Sequence, residues 1–284
     1  MTNILIQACD HFGAGQPEEQ VLINNRVWGV LNVGMHGPAL VLLPGTLGRG
    51  DIFWQQIEDL SGRARILALT YPETGGIEDW ARDITKLMQK AGLEKATVLG
   101  TSLGGYLAQY FAATYPEMVE NLVAANTLGA VGFLANTPPY NQALDNIPIE
   151  SLRQGFVTAL QGKKRGNPER NDLTGFLLRE VDGRISEAEL RARLKSLRFG
   201  PPLPEQTLTS EHIYCVESAD DPIIPEMLRQ DLRERLAPAR TFRFFHGHHF
   251  PYLIQPDAYT GLLKEVIGLD HTSHPWPSGR IAEL

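Results

Sequence analysis

The chain has 284 residues, 43% hydrophobic and 21% charged, an ordinary globular balance and enough length for a large core. A net charge of −7 provides no basic footprint for nucleic acid, and no apolar run approaches the roughly 20 residues of a membrane span. Cys9 and Cys215, the only cysteines, make neither a disulfide framework nor a metal cluster.

In chain order, MTNILIQACDHFG lacks the basic start and the apolar length of a signal peptide, so a soluble, cytoplasmic protein is expected. NRVWGVLNVG (25–34) reads as an early hairpin strand, polar enough for an antiparallel sheet edge. ALVLLPG (39–45) is a continuous apolar run ending in Pro-Gly, as a buried parallel strand does. ARILALTYP (64–72) is a second such run. Between it and ATVLGTS (96–102), Ile77, Trp80, Ala81, Ile84, Leu87, Met88 and Ala91 recur at threes and fours and predict one helix. Leu103, Leu107, Tyr110 and Phe111 predict the next, which stops before Pro116. VENLVAANT (119–127), HIYCVES (212–218) and RTFRFFHG (240–247) supply three more strands. The alternation predicts an α/β fold with a mostly parallel central sheet and helices on both faces.

The rhythm breaks between about 130 and 206, where no strong strand is found. NTPPYNQALDNIPIE reads as loop. SLRQGFVTALQGKK, DLTGFLLREV and SEAELRARLKSL read as short amphipathic helices, and FGPPLPEQ as a stiff linker. A block of helices between two strands predicts a cap. Residues 1–129 and 207–284 then form the core, and residues 130–206 an inserted helical cap or lid. Phe156 and Phe176 either line an apolar pocket under that cap or pack it. The final DHTSHPWPSGRIAEL reads as a tail with little structure.

Gly100-Thr101-Ser102-Leu103-Gly104 fits G-x-S-x-G between a predicted strand and a predicted helix. Small neighbours permit a sharp turn that lifts the Ser102 hydroxyl above the sheet, in front of a helix N-terminus that favours developing negative charge. A serine needs a base to take its proton. His11, His271 and His274 lie in polar stretches near the chain ends, His36 in a turn and His212 at a strand start. His246, His248 and His249 follow the last predicted strand, where a histidine can reach across the top of the sheet. No carboxylate or cysteine accompanies them at metal-ligand spacing. The base in turn needs a carboxylate to orient it. Asp220 and Asp221, in VESADDPIIP, follow the preceding strand, and Pro222 and Pro225 stiffen their loop.

The order Ser, Asp, His is that of α/β-hydrolases, and the chain resembles that fold superfamily. Within it, LALTYP, LGTSLGGYLAQYFA and HFPYL are similar to maspardin-like proteins. The resemblance covers roughly 39–128 well and 212–266 more loosely. It implies specific roles. Asp221 with Pro225 matches D-x-x-x-P, whereas Asp220 is one residue out of register. His249-Phe250-Pro251 matches the terminal motif, with His248 second. The oxyanion donors are the N–H groups of Thr46 and Leu103, with Leu47 the alternative to Thr46. Pro44-Gly45 stands where the family usually has His-Gly. The implied function is a serine hydrolase that needs no cofactor and acts on a small or medium-sized ester through an acyl-enzyme. The alternatives are a C–C bond hydrolase with the same triad, or a non-catalytic binding or adaptor protein. Tyr106 and Trp54 read as packing. Oligomeric state is not legible.

Overall fold

The predicted apolar runs become strands of one sheet in the computed structural model, which describes residues 3–161, 168–270 and 275–284. Among these residues the strands are β1 (Glu19–Ile23), β2 (Arg26–Val33), β3 (Ala39–Leu43), β4 (Arg65–Thr70), β5 (Ala96–Thr101), β6 (Val119–Ala125), β7 (Ile213–Ser218), β8 (Arg240–Phe244) and β9 (Ile281–Glu283). Their order is β1-β2-β4-β3-β5-β6-β7-β8-β9. The β1–β2 and β2–β4 pairs are antiparallel and all other pairs are parallel. The helices are α1 (Ile4–Gly15), α2 (Trp54–Leu60), α3 (Ile77–Lys90), α4 (Leu103–Thr114), α5 (Ile149–Gln161), α6 (Pro168–Arg179), α7 (Glu187–Arg198), α8 (Glu226–Leu236), α9 (Pro251–Ile254) and α10 (Pro256–Val266).

Strand β3 shows why the runs are continuous. All five of its residues are buried, and successive side chains enter opposite cores. Leu40 and Leu42 join a cluster with Ile57 and Leu60 of α2 and Leu262 of α10. Val41 and Leu43 join one with Trp80 and Ile84 of α3 and Leu107 of α4. Each fully buried aliphatic side chain contributes about 1.5–3 kcal/mol by leaving water, so a polar residue anywhere along β3 would be costly. Helices α5, α6 and α7 lie between β6 and β7 in the chain. The predicted helix over 151–164 is α5 as far as Gln161, and its last residues fall outside the described ones.

The structure differs from the sequence expectation at both sheet edges and at the N-terminus, and α2, α8, α9 and α10 form where no helix is predicted. The antiparallel edge is β1, not the 25–34 segment, because β1 pairs outside β2. Asn24 and Asn25 turn the hairpin with positive φ, which Asn tolerates. Helix α1 was not expected; the Asn3 side chain caps it and Cys9 and Phe12 anchor it. Residues 275–284 are also structured: β9 extends the sheet beside β8. Trp276 packs edge-on to Phe242 and Phe244 at 5.1 and 4.9 Å and donates its ring N–H to Ala258 O at 2.9 Å. His271 and His274 lie outside the described residues.

The chain steps from β3 to β4 on one side, then returns past β3 to β5 on the other. At such a switch point the loops leaving two neighbouring strands diverge and open a crevice at their carboxyl ends. Here those loops begin at Pro44 and Ser102.

Candidate active site

Ser102 follows β5 directly, with φ 54° and ψ −117°, a backbone state that residues other than glycine seldom occupy. The turn is held on both sides. The Ser102 N–H donates to Ala125 O at 2.9 Å, and its carbonyl accepts from the Tyr106 N–H at 3.1 Å and the Thr127 hydroxyl at 2.7 Å. Close packing explains two of the glycines: a Cβ on Gly100 would collide with the Gly104 carbonyl, and one on Gly104 with the Leu43 carbonyl. Helix α4 begins at Leu103, so its first N–H groups have no intrahelical acceptor and favour negative charge beside Ser102. The loop after β3 faces this turn. A Cβ placed on Gly45 would lie 3.2 Å from the Ser102 Cβ, and the Gly48 N–H closes the loop onto Gly45 O at 3.1 Å.

Asp221 arrives on the loop after β7 and His249 on the loop after β8. His249 Nδ1 is 2.8 Å from Asp221 Oδ2, with both side chains buried. The same oxygen accepts from Asn126 Nδ2 at 3.0 Å, while Oδ1 accepts from the Ile223 and Ile224 N–H groups at 2.8 and 3.1 Å. Burial pushes the Asp221 carboxyl up. The His249 charge and the bonds from His249, Asn126 and Ile223 outweigh that and hold it below the ordinary carboxylate range. An ionised carboxylate can only accept, so Nδ1 carries a proton, and in the neutral form of the ring Nε2 is the acceptor.

A second histidine–aspartate pair lies alongside. Asp220 accepts from the His248 backbone N–H at 2.8 Å and lies 2.8 Å from its Nδ1. His248 has a positive φ of 47°. His246 is exposed, 4.0 Å from Asp220.

Ser102, Thr46, Leu47 and His249 line one cavity of about 650 Å³, within the usual range for small-molecule sites. Phe156, Leu160, Leu173 and Leu197 of the inserted helices add apolar lining to it. Asp221 and His249 are thus in direct contact, and Ser102 shares a cavity with His249; among the described residues no hydrogen bond joins the Ser102 hydroxyl to either. Leu103 is buried at the start of α4. Tyr106 and Trp54 are packing residues: the Tyr106 hydroxyl donates to Pro201 O at 2.6 Å, and the Trp54 ring packs at a tilt against Phe176, centres 5.3 Å apart. Phe156 faces the cavity and Phe176 does not.

Sequence reasoning missed Asn126. It follows β6 with φ 41°, is 1% exposed, and its amide reaches Asp221, Ser218 and the His248 carbonyl. No local pattern marks it. The carboxylate it helps hold ionised stabilises the fold above the ordinary carboxylate pKa of about 3.9 and stops doing so as pH falls through the lowered folded-state value. Asn126→Leu is therefore expected to lose about 1–3 kcal/mol at neutral pH. Urea unfolding below about pH 4 should show a smaller gap from the parent as Asp221 protonates; a gap of constant size would contradict that linkage.

The model of a family described as alpha/beta hydrolase fold matches residues 38–256. The chain belongs to the alpha/beta hydrolase fold family. Within it this alpha/beta hydrolase is maspardin-like: maspardin of Pongo abelii is 31% identical over 252 residues, 84% of this chain and 79% of that protein. The pimeloyl-[acyl-carrier protein] methyl ester esterase of Nitrosomonas europaea is 24% identical over 244 residues, 79% and 93% of the two chains. The enol-lactonase structure from Burkholderia xenovorans LB400 superposes with a TM-score of 0.74 at 15% identity, covering 88% of this chain and 100% of that one, a likeness of fold. In this alpha/beta hydrolase no helix among the described residues is long and apolar enough to cross a membrane.

Proposed function

We propose that the protein is a serine hydrolase of carboxylic esters with an apolar acyl or alkyl arm, and that residues 130–206 form the cap that covers its site. One observation carries this reading: Ser102 and an Asp221-bound His249 open into one mostly apolar cavity at the switch point of the sheet. The Ser102 oxygen attacks the ester carbonyl carbon as His249 Nε2 takes the hydroxyl proton. The carbonyl oxygen becomes an oxyanion, met by the N–H groups of Thr46 and Leu103, each such donor typically stabilising the transition state by about 2.7–4 kcal/mol. Collapse expels the alcohol, which receives the proton from His249 and leaves an acyl-Ser102. Water then attacks the acyl carbon and gives its proton to His249. The second collapse releases the acid and returns the proton to Ser102. Asp221 holds the ring in the required tautomer throughout.

Relatives named as esterase and as putative carbamate hydrolase agree with acyl chemistry. Turnover of p-nitrophenyl esters from acetyl through decanoyl tests the reading. kcat/KM is expected to climb by up to about fourfold per methylene buried (~0.8 kcal/mol each) until the cavity is full, then fall. A folded protein inert to the whole series would instead be a binding protein on a hydrolase fold. Specific cleavage of vinylogous diketones with no ester turnover would favour C–C bond hydrolysis.

A further inference from the structure

Arg193 lies on α7, in the inserted helices, yet its side chain is fully buried. Its Nη1 donates to two carbonyls of the loop after β3, Thr46 O at 2.9 Å and Gly48 O at 2.7 Å. From the end of β4, the Tyr71 hydroxyl donates to a third, Pro44 O, at 2.7 Å. The guanidinium carbon stands 5.4 Å from the centre of the Tyr71 ring, which is itself stacked on Trp80 at 4.6 Å. Both donors are therefore seated against rigid core. Burial lowers the guanidinium to about 10, so it remains a cation at neutral pH.

Stability alone does not account for this residue. Nε and Nη2 of Arg193 have no hydrogen-bond partner among the described residues, and the Glu189 carboxylate stands 4.0 Å from Nη2. A buried cation with unmet donors costs free energy that an apolar side chain of similar volume would not. What it holds is the loop. In a trans peptide unit the C=O and the N–H point in opposite directions. Gly48, gripped through its carbonyl, donates its N–H to Gly45 O at 3.1 Å. The Gly45 carbonyl shares a planar unit with the Thr46 N–H, and the Thr46 carbonyl that Arg193 holds directly shares the next unit with the Leu47 N–H, so the peptide units on both sides of Thr46 are held.

We propose that Arg193, backed by Tyr71, is a positioning residue for acyl transfer: a brace that aims the Thr46 N–H at the developing oxyanion. The brace rests on the serine-hydrolase reading and adds to it a residue that does not line the cavity. Because α7 carries it, the core's oxyanion donor is set by the seating of the inserted helices.

The test compares the full-length parent with Arg193→Met, Arg193→Lys and Tyr71→Phe. It reads kcat and KM for an aryl ester and the Kd of an aryl boronic acid. The boron of that probe accepts the Ser102 oxygen as the hydroxyl proton passes to His249, forming a tetrahedral anion. Arg193→Met is expected to lower kcat roughly 10- to 100-fold, below the ~10²–10³-fold of an outright lost donor. It should weaken the boronate by the same factor and leave KM within about threefold, a parallel that general loosening of the fold does not give. Arg193→Lys should recover part of both, and Tyr71→Phe should show a smaller loss in the same two quantities. A folded Arg193→Met with parental kcat and boronate affinity overturns the brace. If neither Arg193 variant folds, parental values in Tyr71→Phe overturn it. A parent protein inert to both ester and boronate overturns instead the hydrolase reading beneath it.

Discussion

Exchanging His249 for alanine is expected to lower ester turnover by roughly 10⁵–10⁶-fold, the scale on which a serine nucleophile loses its base. Without the imidazole no group takes the Ser102 proton or returns it to the leaving alcohol. The neighbouring histidine is not a substitute. His248 is bound through both its backbone N–H and its Nδ1 to Asp220, whereas His249 is the ring bonded to the deeply buried Asp221. His248→Ala should therefore cost less than about tenfold in kcat, through its effect on the loop, far short of losing the base. Single-turnover kinetics with the two variants side by side decide the matter. Equal losses would leave the choice of base without support.

Asp221→Asn is expected to lower kcat by about 10⁴-fold with the fold intact. An amide at this position can donate to Nδ1. That leaves the ring proton on Nε2, where it cannot accept one from Ser102. The backbone donors Ile223 and Ile224 and the Asn126 amide, which now stabilise a carboxylate, would face a neutral group. Asp220→Asn changes the partner of His248 and of the exposed His246, not that of His249, and should stay within about tenfold of the parent. The opposite ranking of these two variants, measured as kcat with circular dichroism confirming the fold, would reassign the acid.

How much of this could be read from the chain depends on where each residue's partners lie. β3 was legible because helices cover both of its faces, so every residue had to be apolar. The turn at Ser102 was legible because two close backbone approaches exclude any Cβ at Gly100 and Gly104. β9 was not: only Ala282 of its three residues is buried, and pairing with β8 together with Trp276 packing, rather than local pattern, decides that it forms. α1 buries only Cys9 and Phe12, too thin an apolar stripe to mark a helix, and its Asn cap alone is a weak signal. Asn126 reveals itself only by partners 92 and 95 residues away. Arg193 stands in SEAELRARLKSL, a stretch that reads as a solvated charged helix, while the carbonyls it grips lie 145 and 147 residues earlier. Charge pattern alone gives such a residue an exposed address. Only the folded loop reverses it.

On the proposed mechanism the Ser102 oxygen becomes the covalent attachment point during turnover. Peptide mass spectrometry after treatment with a fluorophosphonate tests it directly. The phosphorus bonds to the serine oxygen and fluoride leaves with the hydroxyl proton. One adduct per chain is predicted, on the peptide containing Ser102, formed far more slowly in His249→Ala and absent in Ser102→Ala. A folded parent protein that takes no label, or an adduct located at any other residue, would contradict it.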